Sequence, residues 1–213
     1  MDRDDLPRLI ETPEDLDRAM GWLITAEPRF GPVYEVTGPL PLRRKPEGFA
    51  QLLSAIVSQQ VSTASASAIW ARVEGAGMAD QDRVMASSDD DLRALGLSRP
   101  KVRYVKALAA AGIDYAALRD TEDADVMARV TAVLGIGPWT AEIYLLSSLG
   151  RADVFPHADI ALQEAARVML GLPDRPDAKA MAEIARAWSP VRAVAARALW
   201  AYYRHIKGQE GIR

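Results

Sequence analysis

An all-α fold is what this sequence predicts, and three observations predict it. Apolar residues recur at spacings of three and four through most of the 213 residues, alternation of β-branched residues is nearly absent, and alanine is abundant. At 49% hydrophobic and 26% charged, the chain can bury one core or two small ones sharing a cleft. It has no cysteine, which excludes a disulfide scaffold, a thiolate metal site, a cysteine nucleophile and a cysteine-held iron–sulfur cluster. The acidic start MDRDDLPRLI lacks the basic flank and apolar run of a signal peptide, and no stretch of near 20 apolar residues could span a membrane. A soluble, cytoplasmic protein is therefore expected. The net charge of -3 argues against nonspecific adhesion to nucleic acid, yet the charge is divided: residues 1–125 hold 21 acids and 15 bases, residues 126–213 hold 8 and 11.

Taken in order, Thr12 before Pro13, Glu14 and Asp15 is a helix start, with a capping residue, proline at the first helical position and acids suited to the dipole; that helix is expected to reach about Ala26. The segment 29–46, with glycine or proline at 31, 32, 38, 39, 41 and 46, reads as an extended connection and as the best place for any strand. Short helices are then predicted near 47–58, 63–73, 79–86, 89–95, 99–111, 122–133, 138–148, 158–170, 177–188 and 190–206. Ser88 and Asp91 make a capping box, and Gly96 closes the helix that follows it. No fixed-period repeat is present.

The most informative stretch is Val133-Leu134-Gly135-Ile136-Gly137-Pro138-Trp139-Thr140-Ala141. A helix must turn at Gly135 and Gly137, and Pro138 falls in the first turn of the next helix, where its missing N–H removes no bond. Two glycines let backbone approach a ligand closely, and N–H groups at the helix start suit an anion such as phosphate. A tight turn between helices with no ligand explains the same residues equally well. Next comes Arg151-Ala152-Asp153-Val154-Phe155-Pro156-His157-Ala158-Asp159-Ile160, an irregular segment whose Asp159 opens another apolar helix; by itself an aspartate there is an N-cap more often than a catalyst.

Together these two stretches resemble the helix-hairpin-helix DNA glycosylases, and within them the bacterial 3-methyladenine DNA glycosylase II branch. The similarity extends to Ser54-Ala55-Ile56-Val57-Ser58-Gln59-Gln60-Val61-Ser62, to Leu95-Gly96-Leu97-Ser98-Arg99-Pro100-Lys101, and to Trp188-Ser189-Pro190-Val191-Arg192 leading to Leu199-Trp200, so it covers roughly residues 40–206 in order. The resemblance implies two helical subdomains with a helix-hairpin-helix motif and an active cleft between them: 48–151 as the hairpin subdomain, 1–47 with 152–213 as the other. Larger members of the branch carry an extra N-terminal domain, for which the early position of Gln59 leaves no room.

It further implies a monofunctional glycosylase that hydrolyses the N-glycosidic bond of alkylated, cationic purines in double-stranded DNA by base flipping, in base excision repair. Bond cleavage develops positive charge on the sugar, and a carboxylate stabilises that state or activates water; a cationic base leaves without a paired general acid. Asp159 aligns with the catalytic aspartate of the family, while Asp153 suits hydrogen bonding or capping. Trp139 stands where strand-cutting relatives carry a Schiff-base lysine, which tryptophan cannot replace. Trp139 and Trp200 match aromatic positions of the base pocket; the usual pocket tyrosine is replaced by Ile143, with Tyr144 one residue on. Trp70 and Trp188 read as core.

By the same resemblance Gln59 and Gln60 meet the minor groove, with Gln60 as the wedge beside the flipped nucleotide, and Gly135, Gly137 and Thr140 contact DNA at the hairpin. The backbone carbonyls of Thr131, Val133 and Ile136 would hold a structural K+ or Na+; no cofactor is otherwise required. His157 and His205 form no ligand cluster with spaced acids. A monomer, cytoplasmic and associated with the nucleoid, is expected. The rivals are a glycosylase for another damaged or mismatched base and a noncatalytic hairpin module that binds DNA.

Overall fold

The computed structural model describes residues 3–210, so the chain ends that the expected outer subdomain includes, 1–2 and 211–213, lie outside the described residues. Twelve α-helices are present among them: α1 (Pro13–Ala26), α2 (Phe30–Thr37), α3 (Phe49–Ser58), α4 (Thr63–Gly75), α5 (Gln81–Ala86), α6 (Asp89–Ala94), α7 (Arg99–Ala110), α8 (Asp123–Thr131), α9 (Pro138–Tyr144), α10 (Ile160–Leu170), α11 (Ala178–Ala185) and α12 (Arg192–Glu210). A π-helical turn, Leu145–Leu149, follows α9, and 3-10 turns occur at Arg3–Asp5, Ala117–Asp120 and Arg186–Trp188. No described helix is long and apolar enough to cross a membrane.

Local chemistry explains many of the starts. Thr12 accepts from Asp15 N while the Asp15 carboxylate accepts from Thr12 N, a reciprocal capping box, and Ser88 with Asp91 repeats it at α6. Gly96, at φ 98, follows α6 in a conformation that favours glycine. The expectation for 29–46 is corrected: its first half is the helix α2, and no strand occurs among the described residues, only an isolated antiparallel bridge between Leu9 and Arg151. Phe30 and Val33 are buried with Tyr34 packed beside them, an i, i+3, i+4 stripe that needs a helix to face one core. Pro32 lies in the first turn, where its missing N–H removes no helical bond, and Gly38 at φ 67 ends the element.

The chain divides into two compact units, the first formed by Met1–Arg44 with Leu145–Arg213, the second by Lys45–Tyr144. The second therefore ends at Tyr144, and Leu145–Arg151, expected with the hairpin, belong to the first unit. In the first unit α12 packs against α1, α2 and α10. Ala193, Ala195, Ala196 and Ala198 are fully buried on it, which lets neighbouring backbones approach closely. Trp188 is 1% exposed and meets Phe30 and Phe155 edge to face at 5.3 and 5.6 Å, the packing role expected of it. In the second unit α3 packs on α4, α7 and α9, α5 and α6 pack on α7, and α8 with α9 forms the helical hairpin.

Candidate active site

The hairpin of the second unit is locked by its glycine. Gly135 has φ +92, and a Cβ there would lie 2.2 Å from Tyr104 Cγ, so both backbone and packing demand glycine. Ile136 N donates to Val133 O at 3.0 Å, closing the turn. Gly137 has open space where its Cβ would be, and Leu134 and Trp139 beside it are 57% and 47% exposed. The hairpin thus exposes about half of each of two large apolar side chains.

Gln59 and Gln60 divide their roles. Gln59 Nε2 donates to Gly135 O at 2.9 Å, tying the turn after α3 to the hairpin across 76 residues of sequence. Gln60 is exposed in the left-handed region, φ 55, a conformation costing about 1 kcal/mol for a residue with a side chain. Ser62 then caps α4 by accepting from Ser65 N at 3.2 Å. Thr140 is buried. Tyr144, grouped with the base pocket from sequence, is 2% exposed and its hydroxyl accepts from Gly48 N at 2.9 Å; burial pushes its phenol pKa up. It packs within the second unit.

In the first unit the segment from Arg151 to Asp159 is held along its length. Ala152 N donates to Arg8 O at 3.0 Å, and Ala193 N donates to Ala152 O at 2.9 Å. Asp153 accepts from Arg192 Nε at 2.7 Å, from Arg192 Nη2 at 3.1 Å and from Ser189 Oγ at 2.9 Å, so its charge is matched and its oxygens are engaged. Phe155 is buried, and the turn behind it closes through His157 N to Phe155 O and Asp159 N to Pro156 O. Asp159 then caps α10: its Oδ1 accepts from Ala161 N at 2.9 Å and from Leu162 N at 3.1 Å. The two N–H groups of the helix N-terminus hold the carboxylate in one orientation. Gln163, 6% exposed, braces the same turn by donating to His157 O at 2.9 Å. Trp200 is half-buried against the core of this unit.

Two features of the second unit escape sequence reasoning. Glu142 is 7% exposed, and burial raises its pKa to about 7. Lys101 is buried with its ammonium donating to Val57 O at 2.7 Å, and burial lowers its pKa. A charged residue on an amphipathic helix carries no mark of the face it will occupy. Among the described residues no group of three histidines, cysteines or acids could hold a metal ion.

The geometry has counterparts in known proteins. Residues 53–190 match the HhH-GPD superfamily of base excision DNA repair proteins. YfjP of Bacillus subtilis is 34% identical over 114 residues, 52% of this chain, and the match spans 40% of the length of YfjP. DNA-3-methyladenine glycosylase 1 of Schizosaccharomyces pombe is 30% identical over 166 residues, 73% of this chain and 72% of that enzyme. Its structure in complex with abasic DNA superposes with a TM-score of 0.75 at 26% identity, covering 86% of this chain and 95% of that one. The crystal structure of DNA-3-methyladenine glycosidase from Bacillus halodurans gives a TM-score of 0.80 at 32% identity, covering 88% of this chain and 89% of that chain. A hairpin locked at Gly135, followed by an aspartate fixed at the start of α10, thus sits in a sequence that matches over residues 53–190, and the chain belongs to the HhH-GPD superfamily of base excision DNA repair proteins.

Proposed function

We propose that this protein is a monofunctional DNA glycosylase that releases alkylated, cationic purines such as 3-methyladenine from double-stranded DNA and leaves an abasic site. The observation that carries the reading is the Asp159 carboxylate, oriented by two backbone N–H groups at the start of α10. Departure of the base leaves an oxocarbenium-like sugar, and a fixed carboxylate stabilises that charge or takes a proton from the attacking water. The bond broken is between the anomeric carbon and the purine nitrogen; water supplies the new C–O bond, and the positive charge on the base is discharged as it leaves with the bonding pair.

Trp139 and Trp200 offer aromatic faces to the flipped cationic base, each worth roughly 0.5–2 kcal/mol through stacking and cation–π attraction. Trp139 has no amine, so no Schiff base forms and the strand is left uncut. Gln60, exposed and left-handed, is the wedge, with Gln59 bracing it against the hairpin. The backbone at Gly135, Gly137 and Thr140 meets a DNA phosphate. The carbonyls of Thr131, Val133 and Ile136 form an all-oxygen donor set that suits a hard cation such as K+ or Na+; Val133 O already accepts from Ile136 N and would offer its second lone pair. The chain works as a monomer in the cytoplasm, on nucleoid DNA. Its test is release of methylated bases from alkylated duplex DNA by the wild type and by Asp159→Asn. Loss in the variant supports the reading, and equal release by both overturns the role of Asp159.

A further inference from the structure

The turn after α3 carries Gln60, and packing alone does not set its shape. Gln59 leaves the helix in extended backbone, φ -62 and ψ 133, and Gln60 then turns at φ 55, in the left-handed region. An open pocket of about 420 Å³ is lined by Gln59, Gln60, Lys101 and Tyr104, so side chains leave that side of the turn unfilled. A residue with a side chain persists in the left-handed region only where its surroundings over-determine it.

Two polar ties meet that need. Val57 lies in the last turn of α3, where carbonyls have no helical partner, and Lys101 Nζ donates to Val57 O at 2.7 Å across 44 residues of sequence. Both residues are buried, which strengthens a charge-assisted bond, and the cation suits the negative end of α3. Gln59 supplies the second tie through its bond to Gly135 O at 2.9 Å. The two ties are joined through α7. Tyr104, three residues after Lys101 and on the same face, packs against Gly135, where it leaves no room for a Cβ. One helix thus braces the turn after α3 with Lys101 and the hairpin with Tyr104.

We propose that Lys101 is a positioning residue for lesion binding: by fixing the C-terminal end of α3 it holds Gln60 left-handed and exposed before DNA arrives, so that the wedge enters the base stack already shaped. The proposal rests on the glycosylase reading, and the role it gives Lys101 requires no contact with DNA. A preset wedge avoids the cost of ordering a flexible turn on binding, and only a duplex whose stack the wedge enters gains from it. Lys101 therefore separates lesion-bearing from undamaged duplex by acting through Gln60.

The test uses the full-length wild type, Lys101→Met, Lys101→Arg, Gln60→Ala and the double variant Lys101→Met/Gln60→Ala, at a temperature where melting curves show each to be folded. The backbone amide order parameter of Gln60 in the free protein is expected at about 0.85 in the wild type and below about 0.6 in Lys101→Met. A wild-type value below about 0.6 overturns the proposal without recourse to any variant. On a duplex carrying a tetrahydrofuran abasic analogue, anisotropy should show Lys101→Met binding about fivefold more weakly, with Lys101→Arg restoring most of the loss and the Kd for undamaged duplex within about twofold of wild type. In the Gln60→Ala background Lys101→Met should weaken lesion binding no further. An independent loss in that background, or equal weakening on both duplexes, overturns the positioning role. Base release from alkylated DNA by the wild type is measured alongside. An active wild type whose lesion affinity Lys101→Met leaves unchanged removes the brace alone, whereas an inactive wild type removes the glycosylase reading.

Discussion

Asp153 and Asp159 lie six residues apart in one irregular segment and meet opposite environments. Asp153 faces a guanidinium and a hydroxyl, which engage both of its oxygens. Asp159 faces the start of α10, where two N–H groups converge on Oδ1. The difference teaches that a carboxylate held by an arginine is a tie, whereas one held by backbone dipoles keeps its charge directed. A developing cation on a sugar needs the second kind. Glu142 in the second unit is the third kind, a buried acid whose surroundings favour the neutral form.

The sharpest way to break the comparison is to neutralise each aspartate. Asp159→Asn keeps a good N-cap, so its stability should change by less than about 0.5 kcal/mol, while base release falls by about 100-fold or more. Single-turnover release and a melting curve check both halves. Comparable loss of activity from Asp153→Asn, with the fold intact, would end the distinction between the two residues.

Glu142 gives the next largest effect, and its sign is opposite to that of a paired carboxylate. Its folded pKa of about 7 lies above the ordinary value of 4.5, so the native state favours the protonated form. The stabilisation is fully present below pH 4.5 and is lost as pH rises through 7, by at most about 3 kcal/mol. Glu142→Gln should flatten that fall in urea melts at pH 5 and pH 8. An equally steep fall in the variant would place the titrating group elsewhere.

Smaller effects follow for the tie and the wedge. Asp153→Asn should lower stability by about 1–2 kcal/mol through loss of the charge-assisted bonds to Arg192, with kcat unchanged, as read by thermal melts and turnover. Gln60→Gly relieves the left-handed backbone, so stability should rise by up to about 1 kcal/mol while affinity for lesion-bearing duplex weakens a fewfold. A variant that is no more stable, or that binds as tightly, separates the strain from the wedge.

What the sequence disclosed depended on the range of the interaction. Caps are local, so Thr12 with Asp15, Ser88 with Asp91 and Asp159 could be read from spacing, and the structure places all of them at helix starts. The glycines and prolines of 29–46 suggested extension, but they were outweighed by the Phe30, Val33 and Tyr34 stripe, which matters only once there is a core to face. The bond from Gln59 to Gly135 and that from Gly48 to Tyr144 join residues far apart in sequence, and no local pattern announces them. The bond from Lys101 to Val57 is of the same kind.

The first unit is built from both ends of the chain, and the second is continuous within it. During synthesis Leu16, Met20 and Leu23 of α1 therefore leave the ribosome long before α12, the helix they are buried with, exists. At usual elongation rates the wait is on the order of ten seconds, during which residues 45–144 can condense while α1 and α2 have only each other to pack against. The order of synthesis thus completes residues 45–144 before α12, which packs on both α1 and α2, has been made.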